Sequence, residues 1–217
     1  MLNTTFSFAS QKGLKLLCVG AHCDDIEIGC GGTLLKFIEE YKIAQLKWVV
    51  FSSNATRKKE ALSSAKQFLK GVHGVDIKVF DFKDGYLPSA WETVKDEFET
   101  IKENFAPDII FTHYRNDLHQ DHRVINELTW NTFRNHLIFE YEIPKYDGDL
   151  GNPNIFVPLE KQHLNRKKEI ILNSFKSQLN KQWLDDTLLT SIARMRGIEC
   201  ASQSDFAEAL YCRKITI

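Results

Sequence analysis

No stretch of this 217-residue chain is apolar for long enough to cross a bilayer. Its first residues, Met1-Leu2-Asn3-Thr4-Thr5-Phe6, lack the basic start and apolar core of a secretory signal. There is no excess charge of one sign: 28 basic residues face 29 acidic ones, a formal net charge of -1. That balance argues against nucleic acid or an anionic membrane as partner. The blocks Arg57-Lys58-Lys59 and Arg166-Lys167-Lys168 are short and fall in predicted helices, so solvated helix faces explain them. The 5 cysteines are odd in number and form no C-x-x-C pair. Free thiols in a reducing cytoplasm fit that pattern better than a disulfide framework. Internal repeats and low-complexity segments are missing too. With 43% hydrophobic residues, the composition predicts one globular domain over 1–217, in the cytoplasm.

Strand and helix signals alternate along the first two-thirds. Leu14–Gly20 reads as a buried strand, followed by glycines 29–32 as a close turn and a helix from Thr33 to Tyr41. Leu46–Phe51 is a second strand, Thr56–Lys70 a helix, and Asp76–Phe82 a third strand. Ser89–Phe105 is a helix, with Ser89 and Glu92 spaced as a capping box. Asp108–His113 is a fourth strand, and Val124–Leu137 has helical spacing. Beyond a loop at 146–153, helices are expected at 159–183 and 185–195, with a closing strand at 209–217. The alternation predicts an α/β, Rossmann-like, mostly parallel sheet flanked by helices.

Two short clusters carry the chemistry: Ala21-His22-Cys23-Asp24-Asp25, and His119-Gln120-Asp121-His122 about a hundred residues on. They supply three histidines and three aspartates, more polar groups than a buried core holds without reason. Each follows a predicted strand, so both belong at the sheet edge where ligands bind. His22 and Asp25 are spaced as two metal ligands on a tight turn. His122 completes a two-histidine, one-carboxylate set with a position open for water. Asp24, beside the ligands, is placed as a general base. His119 is placed as an acid or as a group that polarises a substrate oxygen. Asp121 is placed to hold a histidine in its productive tautomer.

The blander readings differ in weight. Asp24 and Asp25 alone are explained as a helix N-cap with an acidic first turn. His113 and Tyr114 read as the end of a strand, and His73, His136 and His163 as surface or core residues. Glycines 29–32 lack the spacing of a dinucleotide or nucleotide loop. Two charge-rich histidine loops at corresponding strand ends are a poor accident.

Gly20-Ala21-His22-Cys23-Asp24-Asp25-Ile26-Glu27, continued by Gly29-Cys30-Gly31-Gly32-Thr33, resembles the A-H-P-D-D-E and glycine signature of the PIG-L/LmbE-like deacetylases. His119-Gln120-Asp121-His122 resembles that family's H-P-D-H motif. Arg57 with Glu60, Pro107-Asp108, Arg194-Met195-Arg196-Gly197 and Phe206-Ala207-Glu208-Ala209-Leu210 extend the likeness over nearly the whole chain. Cys23 and Gln120 depart from it, each standing where the common pattern has proline.

The resemblance implies a zinc hydrolase that removes acetyl from an N-acetylglucosamine unit of a glycoconjugate. His22, Asp25 and His122 would bind zinc, Asp24 would be the base, His119 would stabilise the oxyanion and Asp121 would orient its neighbours. Iron(II) suits the same ligands. Asp84, after the third strand, and Arg57 are the expected substrate contacts. Arg194 and Arg196 are further candidates for an anionic aglycone. The loop 141–150 suits either sugar stacking or a homo-oligomer contact. Two other readings remain: a non-haem iron oxygenase with the same triad, and a non-catalytic sugar- or nucleotide-binding module.

Overall fold

The computed structural model describes residues 12–216; the N-terminal segment Met1–Phe6 and the last residue of the expected closing strand lie outside them. Among the described residues, seven strands form one sheet: β1 (Leu14–Gly20), β2 (Ile43–Ser52), β3 (Val75–Phe82), β4 (Ile109–His113), β5 (Leu137–Tyr141), β6 (Ile155–Leu159) and β7 (Phe206–Tyr211). Their order is β3-β2-β1-β4-β5-β7-β6. The β3-β2-β1-β4-β5 part is parallel, and β7 runs antiparallel between β5 and β6. Six α-helices of the described residues flank it: α1 (Asp25–Glu40), α2 (Ala55–Phe68), α3 (Trp91–Asn104), α4 (Gln120–Thr132), α5 (Lys161–Ser174) and α6 (Asp186–Glu199).

Alternation along the strands divides the apolar core in two. Leu14, Leu16 and Cys18 of β1 join Trp48 and Val50 of β2 against Phe37, Phe68 and Ile171 from α1, α2 and α5. Leu17 and Val19 join Val49 and Phe51 against Phe98, Ile125 and Leu128 from α3 and α4. A strand buried on both faces reads as an unbroken apolar run, which is why β1 and β4 stand out in the sequence. All five cysteines are free thiols, with Cys18, Cys23 and Cys30 buried. No helix of the described residues is long and apolar enough to cross a membrane.

Several expected boundaries are corrected. The glycines at 29–32 are not a turn: α1 starts at Asp25 and runs through them, with a break at Cys30. They are small because the helix lies close on its neighbours. A Cβ on Gly29 would sit 2.1 Å from Tyr141 Cδ2, and one on Gly32 2.5 Å from Leu159 Cδ1. The capping box at Ser89 does not form, because a 3₁₀ turn over Leu87–Ala90 leads into α3 and Ala90 occupies the cap. Leu137 opens β5 instead of closing a helix. The helix expected from 159 is α5, which starts at Lys161 after the edge strand β6 and ends at Ser174.

Candidate metal-dependent active site

The order β2-β1-β4 places the topological switch point between β1 and β4, where chains leave adjacent strand ends in opposite directions and open a crevice. The first polar cluster lies in the β1–α1 connection. The second forms the start of α4, not a loop, with His119 as its N-cap. The first cluster is tied to the neighbouring strand ends: the Ala21 N–H donates to His113 Nε2 at the end of β4 (2.9 Å), and the Ser52 N–H at the end of β2 to the Ala21 carbonyl (2.8 Å). A cavity of about 960 Å³ opens there, and its walls include His22, Asp24, Asp25, His119 and His122.

The three expected ligands converge. His22 Nδ1 lies 3.0 Å from His122 Nε2 and 3.3 Å from Asp25 Oδ2, and His122 Nε2 lies 3.6 Å from Asp25 Oδ1. Tetrahedral ligands at roughly 2.0–2.1 Å from a zinc-like ion stand about 3.3 Å from one another. Asp25 approaches each histidine through a different oxygen, and the separations between side chains are of the size that shared coordination of one ion requires. A turn fixes the pair from β1–α1, since the His22 N–H donates to Asp25 Oδ2 at 2.6 Å. Burial alone would raise the Asp25 carboxyl, but His122, His113 and His22 hold it well below the carboxylate range. Burial and His113 push His122 down to about 4, which keeps its ring neutral. Burial opposes the charged form of His22, yet Asp25, Asp121 and Asp84 outweigh it and raise its pKa. The carboxylates around His22 thus favour positive charge at that ring, while His122 stays neutral.

Other combinations of donors overlap with these: His22, His119 and His122; Asp25, His113 and His122; and His22, Asp84 and Asp121. His113 is the weaker candidate because its Nε2 lone pair already accepts the Ala21 N–H. It does more than end a strand. It is fully buried, stacks on His122 with centroids 3.9 Å apart, and lies 3.1 Å from Asp25 Oδ2.

Asp24 is 4% exposed. Arg57 Nη2 pairs with its Oδ1 at 2.9 Å, while Oδ2 has no hydrogen-bond partner among the described residues. Burial raises its pKa and Arg57 opposes that. A carboxylate held by one oxygen and free at the other is suited to take a proton. His119 Nδ1 accepts the Asp121 N–H (3.2 Å), so a neutral ring carries its proton on Nε2. Burial and His22 lower its pKa, favouring that neutral form. Asp121 lies 3.2 Å from His22 Nε2, and its oxygens accept the N–H groups of Gly85 (2.7 Å) and Leu87 (3.1 Å). It steadies both a ligand candidate and the loop that carries Asp84. Asp84 itself is 80% exposed, with Oδ1 3.1 Å from His22 Nε2.

Arg57 lines the cavity, but its guanidinium is committed to Asp24 and Glu60 and lies over the Phe175 ring. It is not part of a solvated face. Arg194 pairs with Asp205 at the surface, and Arg196 is buried against Glu142 and Glu199. Neither lines the cavity, so both are dropped as substrate contacts. His163 does have an acidic partner, Glu39, at 2.6 Å. Within the 141–150 loop, Ile143 to Asp147 form a cavity wall.

Two residues of the site escape the motifs. Asp117 Oδ2 lies 2.9 Å from His122 Nδ1 and 3.0 Å from Lys145 Nζ, and Oδ1 accepts the His119 N–H (2.8 Å). Tyr141 packs on Gly29, and its hydroxyl donates to the Val19 carbonyl at 2.7 Å. A carboxylate two residues before His119, in the same strand-end loop, was the available signal for Asp117. The sequence alone places Tyr141 at the start of the 141–150 loop suited to sugar stacking, but it ends β5 and is fully buried.

Solved structures share this fold at low identity. The conserved protein TT1542 from Thermus thermophilus superposes with a TM-score of 0.73 at 20% identity, covering 94% of this chain and 96% of that one. The N,N'-diacetylchitobiose deacetylase from Pyrococcus horikoshii gives 0.69 at 22%, covering 91% and 83%. A 4-carboxy-2-hydroxymuconate hydratase from Pseudomonas putida gives 0.70 at 16%, covering 94% and 98%. One fold thus carries a deacetylase and a hydratase, and the reaction has to be argued from the site. A family model for PIG-L, described as GlcNAc-PI de-N-acetylase, matches residues 17–133, over half of the chain and both polar clusters, and the chain belongs to that family.

Proposed function

We propose that this protein is a metal-dependent N-deacetylase that hydrolyses the N-acetyl amide of an N-acetylglucosamine-type unit in a glycoconjugate or its precursor. The carrying observation is one cavity wall that combines three converging donors, His22, Asp25 and His122, with the free, buried Asp24 Oδ2. The family description and the chitobiose deacetylase on the same fold support an amide on an amino sugar.

His22, Asp25 and His122 would hold zinc, and iron(II) suits the same donors. A divalent metal there supplies Lewis acidity, polarising the amide carbonyl and lowering the pKa of a water. Asp24 Oδ2 takes a proton from the attacking water while Arg57 keeps Oδ1 fixed. The same carboxyl then returns a proton to the departing amine, so amide and water become acetate and amine. His119 Nε2 donates to the carbonyl oxygen as it gains charge, a contact that strengthens towards the transition state. Asp117 and Asp121 orient His122 and His22. Asp84, exposed at the rim, is placed to accept from sugar hydroxyls.

An acetate-release screen of the metal-loaded protein against N-acetylglucosamine conjugates tests this reading. Release from at least one conjugate, without oxygen uptake, is expected. Oxygen consumption with iron and no acetate would favour an oxygenase. Metal uptake with no turnover across the panel would favour a binding module.

A further inference from the structure

The segment Phe206-Ala207-Glu208-Ala209-Leu210 has no part in the chemistry above, yet it reaches back to the helix that carries the first polar cluster. Helix α1 is broken at Cys30, whose backbone is non-helical (φ -143°, ψ 17°). In a regular helix the Gly32 N–H would donate to the Ile28 carbonyl. Here each half of that bond meets a side chain. Lys167 Nζ donates to the Ile28 carbonyl at 2.6 Å. Glu208 Oε1 accepts the Gly32 N–H at 2.8 Å, and Oε2 the Thr33 N–H at 2.6 Å. Lys167 Nζ and Glu208 Oε1 stand 2.7 Å apart, which closes the circuit.

Both side chains are buried, at 3% and 6% exposure. The charges match the two helix ends they touch. The carboxylate meets the N–H groups that open the second segment, and the ammonium meets a carbonyl that ends the first. A buried ion pair of this kind adds little net stability compared with apolar packing. What it does provide here is a fixed join between two helical pieces. The first piece, Asp25 to Gly29, begins with a metal-ligand candidate. Tyr141 clamps its other side, where a Cβ on Gly29 would lie 2.1 Å from the ring.

We propose that Lys167 and Glu208 are positioning residues for the metal site. They splice α1 across its break and so set the direction in which its first turn presents Asp24 and Asp25 to the cavity. This inference rests on the metal-site reading above and adds residues from α5 and β7 to it.

Cobalt(II) titration followed by its visible absorption, alongside thermal unfolding of the metal-free protein, tests it on wild type, Glu208→Gln, Glu208→Asp and Lys167→Met. Glu208→Gln and Lys167→Met should weaken cobalt binding about tenfold or more, the size expected for groups that orient metal ligands, and should alter the absorption band. Glu208→Asp, which keeps the charge on a shorter arm, should fall between. If Glu208→Gln does not fold, Glu208→Asp and Lys167→Met carry the comparison. A core control, Ile171→Val, should lower stability and leave affinity and spectrum unchanged. Wild-type affinity and spectrum in the Glu208 and Lys167 variants would overturn this inference alone. Loss of affinity in the control in proportion to its stability would do the same. A wild-type protein that binds no cobalt would overturn the metal-site reading together with it.

Discussion

Replacing Asp117 with asparagine removes one charge from the site and keeps the volume. Asp117 is 3% exposed and contacts His122 Nδ1, Lys145 Nζ and the His119 N–H at 2.8 to 3.0 Å. Burial alone would raise its carboxyl, but His122, His113 and Lys145 hold it well below the ordinary carboxylate range, so it is an anion at neutral pH. An anion on Nδ1 fixes the tautomer of His122 with Nε2 free to ligate, and it increases the basicity of that nitrogen. Asparagine still accepts one hydrogen bond but supplies no charge. The expected loss in metal affinity is about 10- to 100-fold, or about 1.4 to 2.7 kcal/mol at 1.36 kcal/mol per factor of ten. Lys145 retains Asp149, so the loop wall should persist. Competitive metal titration against a chromophoric chelator measures the affinity, and circular dichroism checks the fold. A folded Asp117→Asn variant with wild-type affinity would refute the assignment of Asp117 as the group behind His122.

Further outcomes follow from the same geometry. His119→Ala should cut acetate release about 10²- to 10³-fold by removing one donor to the developing oxyanion, with metal content unchanged; equal turnover would remove His119 from that role. Gly29→Ala drives a methyl to within 2.1 Å of the buried Tyr141 ring. The cost should be about 1–3 kcal/mol, read in a denaturant titration, and an unshifted midpoint would contradict the close approach. Gly197→Ala meets the Asp205 carbonyl oxygen at 2.1 Å, and backbone gives less readily than a side chain. It should lower the unfolding temperature without changing metal affinity, since it lies outside the cavity.

The central strands β1, β2 and β4 were legible because they are largely buried and read as apolar runs between helical spacings. β1 falls at Leu14–Gly20, as the sequence alone predicts. β5 and β6 were hidden. β5 continues the helical spacing of Phe133 and Leu137, and β6 is a partly exposed edge strand that includes Pro158. The site motifs were legible because they are short and lie at strand ends. The groups behind them were not. Tyr141, Lys167 and Glu208 act through contacts between distant segments, and single-sequence spacing carries no record of those, whereas Asp117 lies in the same loop as the second cluster and was passed over. The glycines of α1 mislead for the same reason: a turn residue and a close-packing residue look alike until Tyr141 and Leu159 are seen against them. Arg57 shows the converse, a basic-block residue drawn inward by the buried Asp24.

The most direct test of the proposed chemistry is acetate release by wild type and Asp24→Asn at equal metal content, on one N-acetylglucosamine conjugate that the wild type cleaves. Loss of the only proton acceptor assigned to the attacking water should slow release by about 10²- to 10⁴-fold, with bound metal and unfolding temperature close to wild type. Release at the wild-type rate from the folded, metal-loaded Asp24→Asn variant would contradict it.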